Sequence, residues 1–239
     1  ADGANSTIRR LLDLSVTEQS YQQTAITANI STERAHQHRA FERFTEHGPI
    51  ALLPMPDNRC SLIWTVKTGD ETALLKLDDD AFLSQLQTEF GYRLGKMIHL
   101  GKRSHYALKL TQTDQPIQDR IVFVGNAAHS LHPIAGQGFN LGLRDVIALA
   151  DVLAEQTTDC GNAEHLHLYQ QWQQQDQDHV IKATDMLVRL FSNDNALLGH
   201  GRSMGLMGLD LIPPAKHWLA NKSMGLGKKQ PRLARGIDL

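Results

Sequence analysis

The segment that most constrains this chain runs from Arg120 to Asp145, RIVFVGNAAHSLHPIAGQGFNLGLRD. Its apolar start, Arg120–Val124, predicts a strand buried on both faces of an α/β sheet. A loop containing Gly125, Gly136 and Gly138 follows. Periodicity then predicts a helix from about Phe139 to Glu155, with Leu143, Ile147, Ala150 and Leu153 as one apolar stripe. Glycine lets a ligand approach the main chain with no Cβ in the way. A helix N-terminus supplies unpaired N–H donors and partial positive charge. Pro133 stiffens the loop and removes one donor. Such a unit suits an electron-rich ligand, but glycine-containing strand–loop–helix units are also common as plain structure. Pattern alone leaves both readings open.

Upstream, the grammar is different. Asn5–Leu12 predicts a short helix capped by Asn or Ser. Short β-type runs follow at Ala25–Ile30, Ala40–Thr45, Ile50–Leu53 and Cys60–Val66. Turn-forming stretches separate them, which predicts an antiparallel sheet. Asp78–Phe90 has helical spacing and an acidic first turn. Ser104–Leu110 predicts a further strand, and the chain from Glu164 reads as mostly helical. The glutamine-rich run Gln170–Gln177 is expected to be a solvated helix face.

Composition excludes several classes. With 24 Lys and Arg against 26 Asp and Glu, the net charge of −2 is too low for general nucleic-acid binding. Two cysteines, Cys60 and Cys160, build neither a disulfide scaffold nor a cysteine zinc cluster, and suggest a reducing cytoplasm. No apolar run approaches the ~20 residues of a membrane span. Twelve histidines raise the question of a metal. His36-x-His38 and His165-x-His167 have suitable spacing, but no HExxH accompanies them, so no metal site is expected. A serine hydrolase lacks its GxSxG elbow, and Ser130 sits inside the glycine loop.

Two stretches carry a resemblance. Gly125-Asn126-Ala127-Ala128-His129, Pro133, Gly136-Gln137-Gly138-Phe139-Asn140 and Arg144-Asp145 resemble the second flavin-contacting motif of the class A flavoprotein aromatic hydroxylases. The opening Ala1-Asp2-Gly3-Ala4-Asn5-Ser6, followed by Arg9, resembles that family's Asp-Gly signature. The stretches Arg39–Thr45, His47-Gly48-Pro49, Leu53-Pro54-Met55 and Arg59–Leu62 are similar to its ubiquinone-biosynthesis branch. Asn126 stands where the wider family usually has Asp. An amide still bonds a ribityl hydroxyl, with one negative charge fewer.

The resemblance implies a mixed α/β fold. A partial FAD-binding Rossmann-like domain (1–18 and 111–158) carries an inserted, mainly antiparallel substrate sheet (19–110), with a C-terminal helical region and basic tail (159–239). It implies an NAD(P)H- and FAD-dependent monooxygenase that hydroxylates a polyprenyl phenol with O2 through a flavin C4a-hydroperoxide. Asp2, Gly3, Gly125, Asn126, Gly136, Gln137, Gly138, Phe139 and Asn140 are the implied cofactor contacts. Pro133 and Gly136 would border the flavin ring, His129 would shape the loop, and no side-chain nucleophile is expected. Leu52 and Pro54 are candidates for the substrate pocket. The family's GxGxxG unit, which holds the ADP half of FAD, does not occur in this sequence. The chain is therefore expected to be a C-terminal portion that alone binds FAD weakly and is inactive.

A different class also stands: a hydroxylase-like binding or scaffold module that does not capture FAD, which intact-protein mass would discriminate. The apolar residues between Met186 and Ile212 read either as helices packed on the body or as a lipid- or partner-facing surface. The basic residues Lys222, Lys228, Lys229, Arg232 and Arg235 suggest weak attraction to the inner membrane surface. A complex with other ubiquinone-biosynthesis proteins is the remaining expected partner.

Overall fold

The computed structural model describes residues 1–155, 159–191, 196–226 and 230–239. Helix α1 (Thr7–Leu11) leads into strands β1 (Val16–Thr32), β2 (Phe41–Thr45), β3 (Gly48–Pro54) and β4 (Arg59–Lys67). Then come α2 (Glu71–Lys76), α3 (Asp79–Phe90), β5 (Met97–Leu100), β6 (Ser104–Thr113), β7 (Ile117–Gln118), β8 (Ile121–Val122) and β9 (His129–Ser130). Helices α4 (Gln137–Ala154), α5 (Ala163–Phe191), α6 (Ala196–Leu211) and α7 (Pro213–Ser223) follow. The architecture is mixed α/β and divides into two compact units.

One unit comprises Ser20–Lys109 and Val188–Asp194. Its sheet runs β2-β3-β4-β1-β6, with β5 also on β1. The β2–β3, β3–β4 and β1–β4 pairs are antiparallel, as the short, closely spaced runs suggested. Strand β4 buries Cys60, Leu62, Trp64 and Val66, the period-2 alternation of a half-buried strand. Helix α3 lays Phe82, Leu83, Leu86 and Phe90 into the same core, and Phe82 meets Trp64 edge-on at 5.4 Å. Asp78 starts α3 by accepting the Ala81 N–H at 2.8 Å, and Gly91, at φ 83°, ends it.

The other unit comprises Ala1–Gln19, Leu110–Leu187 and Asn195–Leu239. Three expectations are corrected here. The strand expected over Arg120–Val124 forms only at Ile121–Val122, where its sole partner among the described residues is the two-residue β7. So short a ladder has no hydrogen bonds with which to extend, and Ile121 stays exposed. Helix α4 turns a different face inward: Leu141, Asp145, Ala148 and Val152 are buried while Leu143 is exposed. Aspartate holds a core position because it is fully hydrogen-bonded there. The glutamine run is not uniformly solvated either. Gln173 is buried and donates to the Arg144 carbonyl, and Gln177 donates to Asp145 Oδ1 at 3.0 Å.

The C-terminal segment is also partly tied down. Arg232 pairs with Asp151 of α4 through its side chain and its backbone N–H, so it is not free for a lipid surface. Lys228 and Lys229 lie outside the described residues. On α6 and its connection to α7, Met204, Met207, Leu211 and Ile212 are exposed. No described helix is long and apolar enough to cross a membrane.

Candidate functional site

The site grows from one buried carboxylate. Asp145, fully buried in α4, accepts the Gly125 N–H at 3.2 Å and faces His129 Nε2 at 2.6 Å through the same oxygen. Gln177 occupies its other oxygen. The turn Gly125–Ala127 and strand β9 are thereby fixed to the helix that follows them. His129 gives its Nε2 to Asp145 and is itself buried.

Backbone proximity finishes the arrangement. Gly125 has φ 58°, a left-handed conformation that glycine adopts without Cβ strain. A Cβ on Gly142 would come 3.1 Å from the Gly125 Cα, so helix and turn meet main chain to main chain.

The two sequence motifs meet through Arg9. This buried guanidinium donates to the Ala4 carbonyl at 2.7 Å and to the Ala127 carbonyl at 2.9 Å. Ser6 Oγ accepts the Arg9 N–H and caps α1. Asp2, expected as a cofactor contact, accepts the N–H groups of Thr7 and Ile8. The Ser6 hydroxyl and these amides hold its carboxyl at about 2. Gly3 turns the chain at φ 92°.

Beyond β9 the loop is anchored from below. His132 is fully buried, and its Nδ1 accepts the Ile134 N–H. Burial lowers its pKa to about 4, so the ring is neutral at pH 7. Pro133 opens a 3-10 turn that ends at Gly136, with φ 61°. No side chain caps α4. A Cβ on Gly3, Gly125, Gly136 or Gly138 would meet nothing within 4 Å. Main chain at the uncapped start of α4 therefore borders open space. Asn126, Phe139 and Asn140 are exposed, and Gln137 and Gly138 half-buried.

The expected cofactor contacts are thus brought together in one unit. Leu52 and Pro54 belong to the other. Leu52 is fully buried among its core side chains, and Pro54 is half-buried at the end of β3. His36 of the metal-type pair has both ring nitrogens engaged, one with the Met55 carbonyl and one accepting the His38 N–H. Among the described residues no group of three or more His, Cys, Asp or Glu could hold a metal.

Residues 1–184 match the family described as FAD binding domain. The chain belongs to that family. It is 39% identical over 245 residues to ubiquinone hydroxylase UbiL of Rhodospirillum rubrum, covering 100% of this chain and 57% of that protein. The 3-demethoxyubiquinol 3-hydroxylase of Escherichia coli is 33% identical, over 95% of this chain and 58% of its own. Human ubiquinone biosynthesis monooxygenase COQ6 is 28% identical, over 90% and 54%. The chain thus spans little more than half the length of these curated relatives. Among solved structures, p-nitrophenol 4-monooxygenase PnpA from Pseudomonas putida shares the fold, with a TM-score of 0.72 at 16% identity over 96% of this chain and 59% of that one.

The residues present fit FAD. The glycine backbone at Gly125, Gly136 and Gly138 leaves room where a Cβ would stand, and the uncapped start of α4 offers N–H donors to a ring rich in acceptors. The supports that a motif-based reading leaves out of the contact set are Arg9, Gly142 and Asp145. An aspartate at the spacing of Leu141 and Ala148, on the face a core must cover, was the available signal for Asp145.

Proposed function

We propose that this chain is part of an FAD-dependent monooxygenase that hydroxylates the aromatic ring of a polyprenyl phenol in ubiquinone biosynthesis, with NAD(P)H as reductant and O2 as oxidant. The observation that carries this reading is the bare glycine backbone before the uncapped α4, tied by Arg9 to the Asp2-Gly3 turn. Likeness to ubiquinone hydroxylases supports the substrate class.

Bound FAD, once reduced, supplies the activation of O2. The chain's own residues hold, orient and shelter it. The main chain at the uncapped start of α4, after Gly136, would hold the pyrimidine edge, where reduction places negative charge. Exposed Asn126 would bond the ribityl chain. Buried Ile134 and His132 keep the underside of the loop free of water. Pro54 is the proposed pocket-wall residue for an apolar substrate that needs few polar anchors, whereas Leu52, fully buried among core side chains, has no surface to offer one. The setting is cytoplasmic, with weak contact to the inner membrane surface and association with other ubiquinone-biosynthesis proteins.

The test is conversion of a polyprenyl phenol by the full-length protein with FAD, NADH or NADPH, and 18O-labelled O2. One labelled oxygen on the ring is expected. Label-free product, or no flavin uptake together with no product, contradicts the reading and leaves a binding module.

A further inference from the structure

A cleft of about 420 Å³ lies within the unit that holds the antiparallel sheet. Its walls are the β1–β2 connection, from Arg34 to Arg39, and Arg93 and Leu94 before β5. Neither wall belongs to the flavin loop.

Charge sets this cleft apart. Arg34, Arg39 and Arg93 line it, all exposed, and none has a carboxylate partner among the described residues. Elsewhere Arg59, Arg103, Arg120, Arg144 and Arg232 each face an aspartate. Glu33, beside Arg34, accepts the Lys96 N–H with its carboxylate. Three arginines outside any described ion pair around one cavity, with Glu33 the one adjacent acid in sequence, leave a local excess of positive charge in a chain of net charge −2.

The walls are built rather than loose. His36 is buried, donates to the Met55 carbonyl, and accepts the His38 N–H at its other ring nitrogen. Asn58 Oδ1 accepts the His36 N–H. Gln37 and His38 are left-handed at φ 50° and 58°, as are Asp57 and Asn58. Such backbone persists only where its surroundings enforce it, and it gathers at ligand clamps. On the opposite wall, buried Gln87 bonds the carbonyls of Gly91 and Gly95 and the N–H of Met97.

We propose that this cleft is an anion site that takes the phosphoryl group of a small phosphate ester or a phospholipid headgroup. A carboxylate is satisfied by one guanidinium fork, whereas three forks from separate positions suit the several oxygens of a phosphoryl group. The cavity exceeds the group itself, and the rest of the ligand rests on Phe41 and Leu94. The site stands independently of the monooxygenase reading.

Binding of labelled pyrophosphate to the full-length protein tests it by equilibrium dialysis, with no need for flavin or turnover. Saturable binding is expected in wild type, at least tenfold weaker in an Arg34→Gln, Arg39→Gln, Arg93→Gln triple variant, and unchanged in Arg10→Gln. Circular dichroism melting should match across all three, since every substituted side chain is exposed. Competition by NADPH assigns the site to a soluble phosphate ester. Sedimentation with phosphatidylglycerol but not phosphatidylcholine vesicles, lost in the triple variant, assigns it to a lipid headgroup. No saturable pyrophosphate binding, or equal binding by wild type and triple variant, overturns the proposal.

Discussion

A Cβ on Gly142 would stand 3.1 Å from the Cα of Gly125. The middle of α4 therefore rests on the turn that opens the glycine loop, backbone against backbone. Neither side can yield by rotating a side chain. Gly142→Val is expected to lower stability by about 1–3 kcal/mol through overpacking and to weaken FAD binding as the turn shifts. Gly201→Val, on α6 where a Cβ meets nothing within 4 Å, is the control and should change neither. Urea unfolding and flavin titration of both variants decide the point.

Asp145 holds the same turn by hydrogen bonds. Replacing it with Ala leaves the Gly125 N–H, His129 and Gln177 without their acceptor in the interior. A loss of roughly 3–5 kcal/mol is expected, as when one partner of a buried charged network is removed. A variant that unfolds within about 1 kcal/mol of wild type would mean that solvent reaches the turn and the network adds little.

His132 gives the fold a pH dependence. Burial lowers its pKa to about 4 from an ordinary 6.5. Between those values the unfolded chain takes up a proton that the folded chain refuses. Its contribution is therefore complete above pH 6.5 and is lost as pH falls toward 4, about 3 kcal/mol in all. His132→Asn keeps an acceptor for the Ile134 N–H and removes the titration. Unfolding free energies at pH 7.5 and 4.5 should fall less in the variant than in wild type by about 2–3 kcal/mol. Parallel pH profiles contradict this assignment.

Much of this was legible in the residues, for physical reasons. The strands of the antiparallel sheet and helix α3 announce themselves through period-2 and period-3.6 burial and through turn and cap chemistry, all local signals. Strand β5 does not: MIHL is short, and its ladder to Ile30, Ser31 and Thr32 of β1 is made far along the chain. The Arg120–Val124 strand looked stronger than it is, because a strand's extent depends on neighbours that its own sequence does not specify. The glycine loop before α4 was legible through its glycines, which turn the chain at positive φ at Gly125 and Gly136. The buried face of α4 was not, because aspartate counts as polar until its donors are known.

The glycine loop as flavin cradle is tested most directly at Gly138. A Cβ there would project into open space rather than into protein. The measurement is flavin occupancy of purified full-length wild type and Gly138→Val, beside thermal unfolding of both apoproteins. Near-stoichiometric FAD in wild type is expected, with most of it lost in the variant, at apoprotein stabilities within about 1 kcal/mol of each other. Undiminished FAD in the variant, or a parallel collapse of its apoprotein, would contradict the placement of the cofactor on this loop.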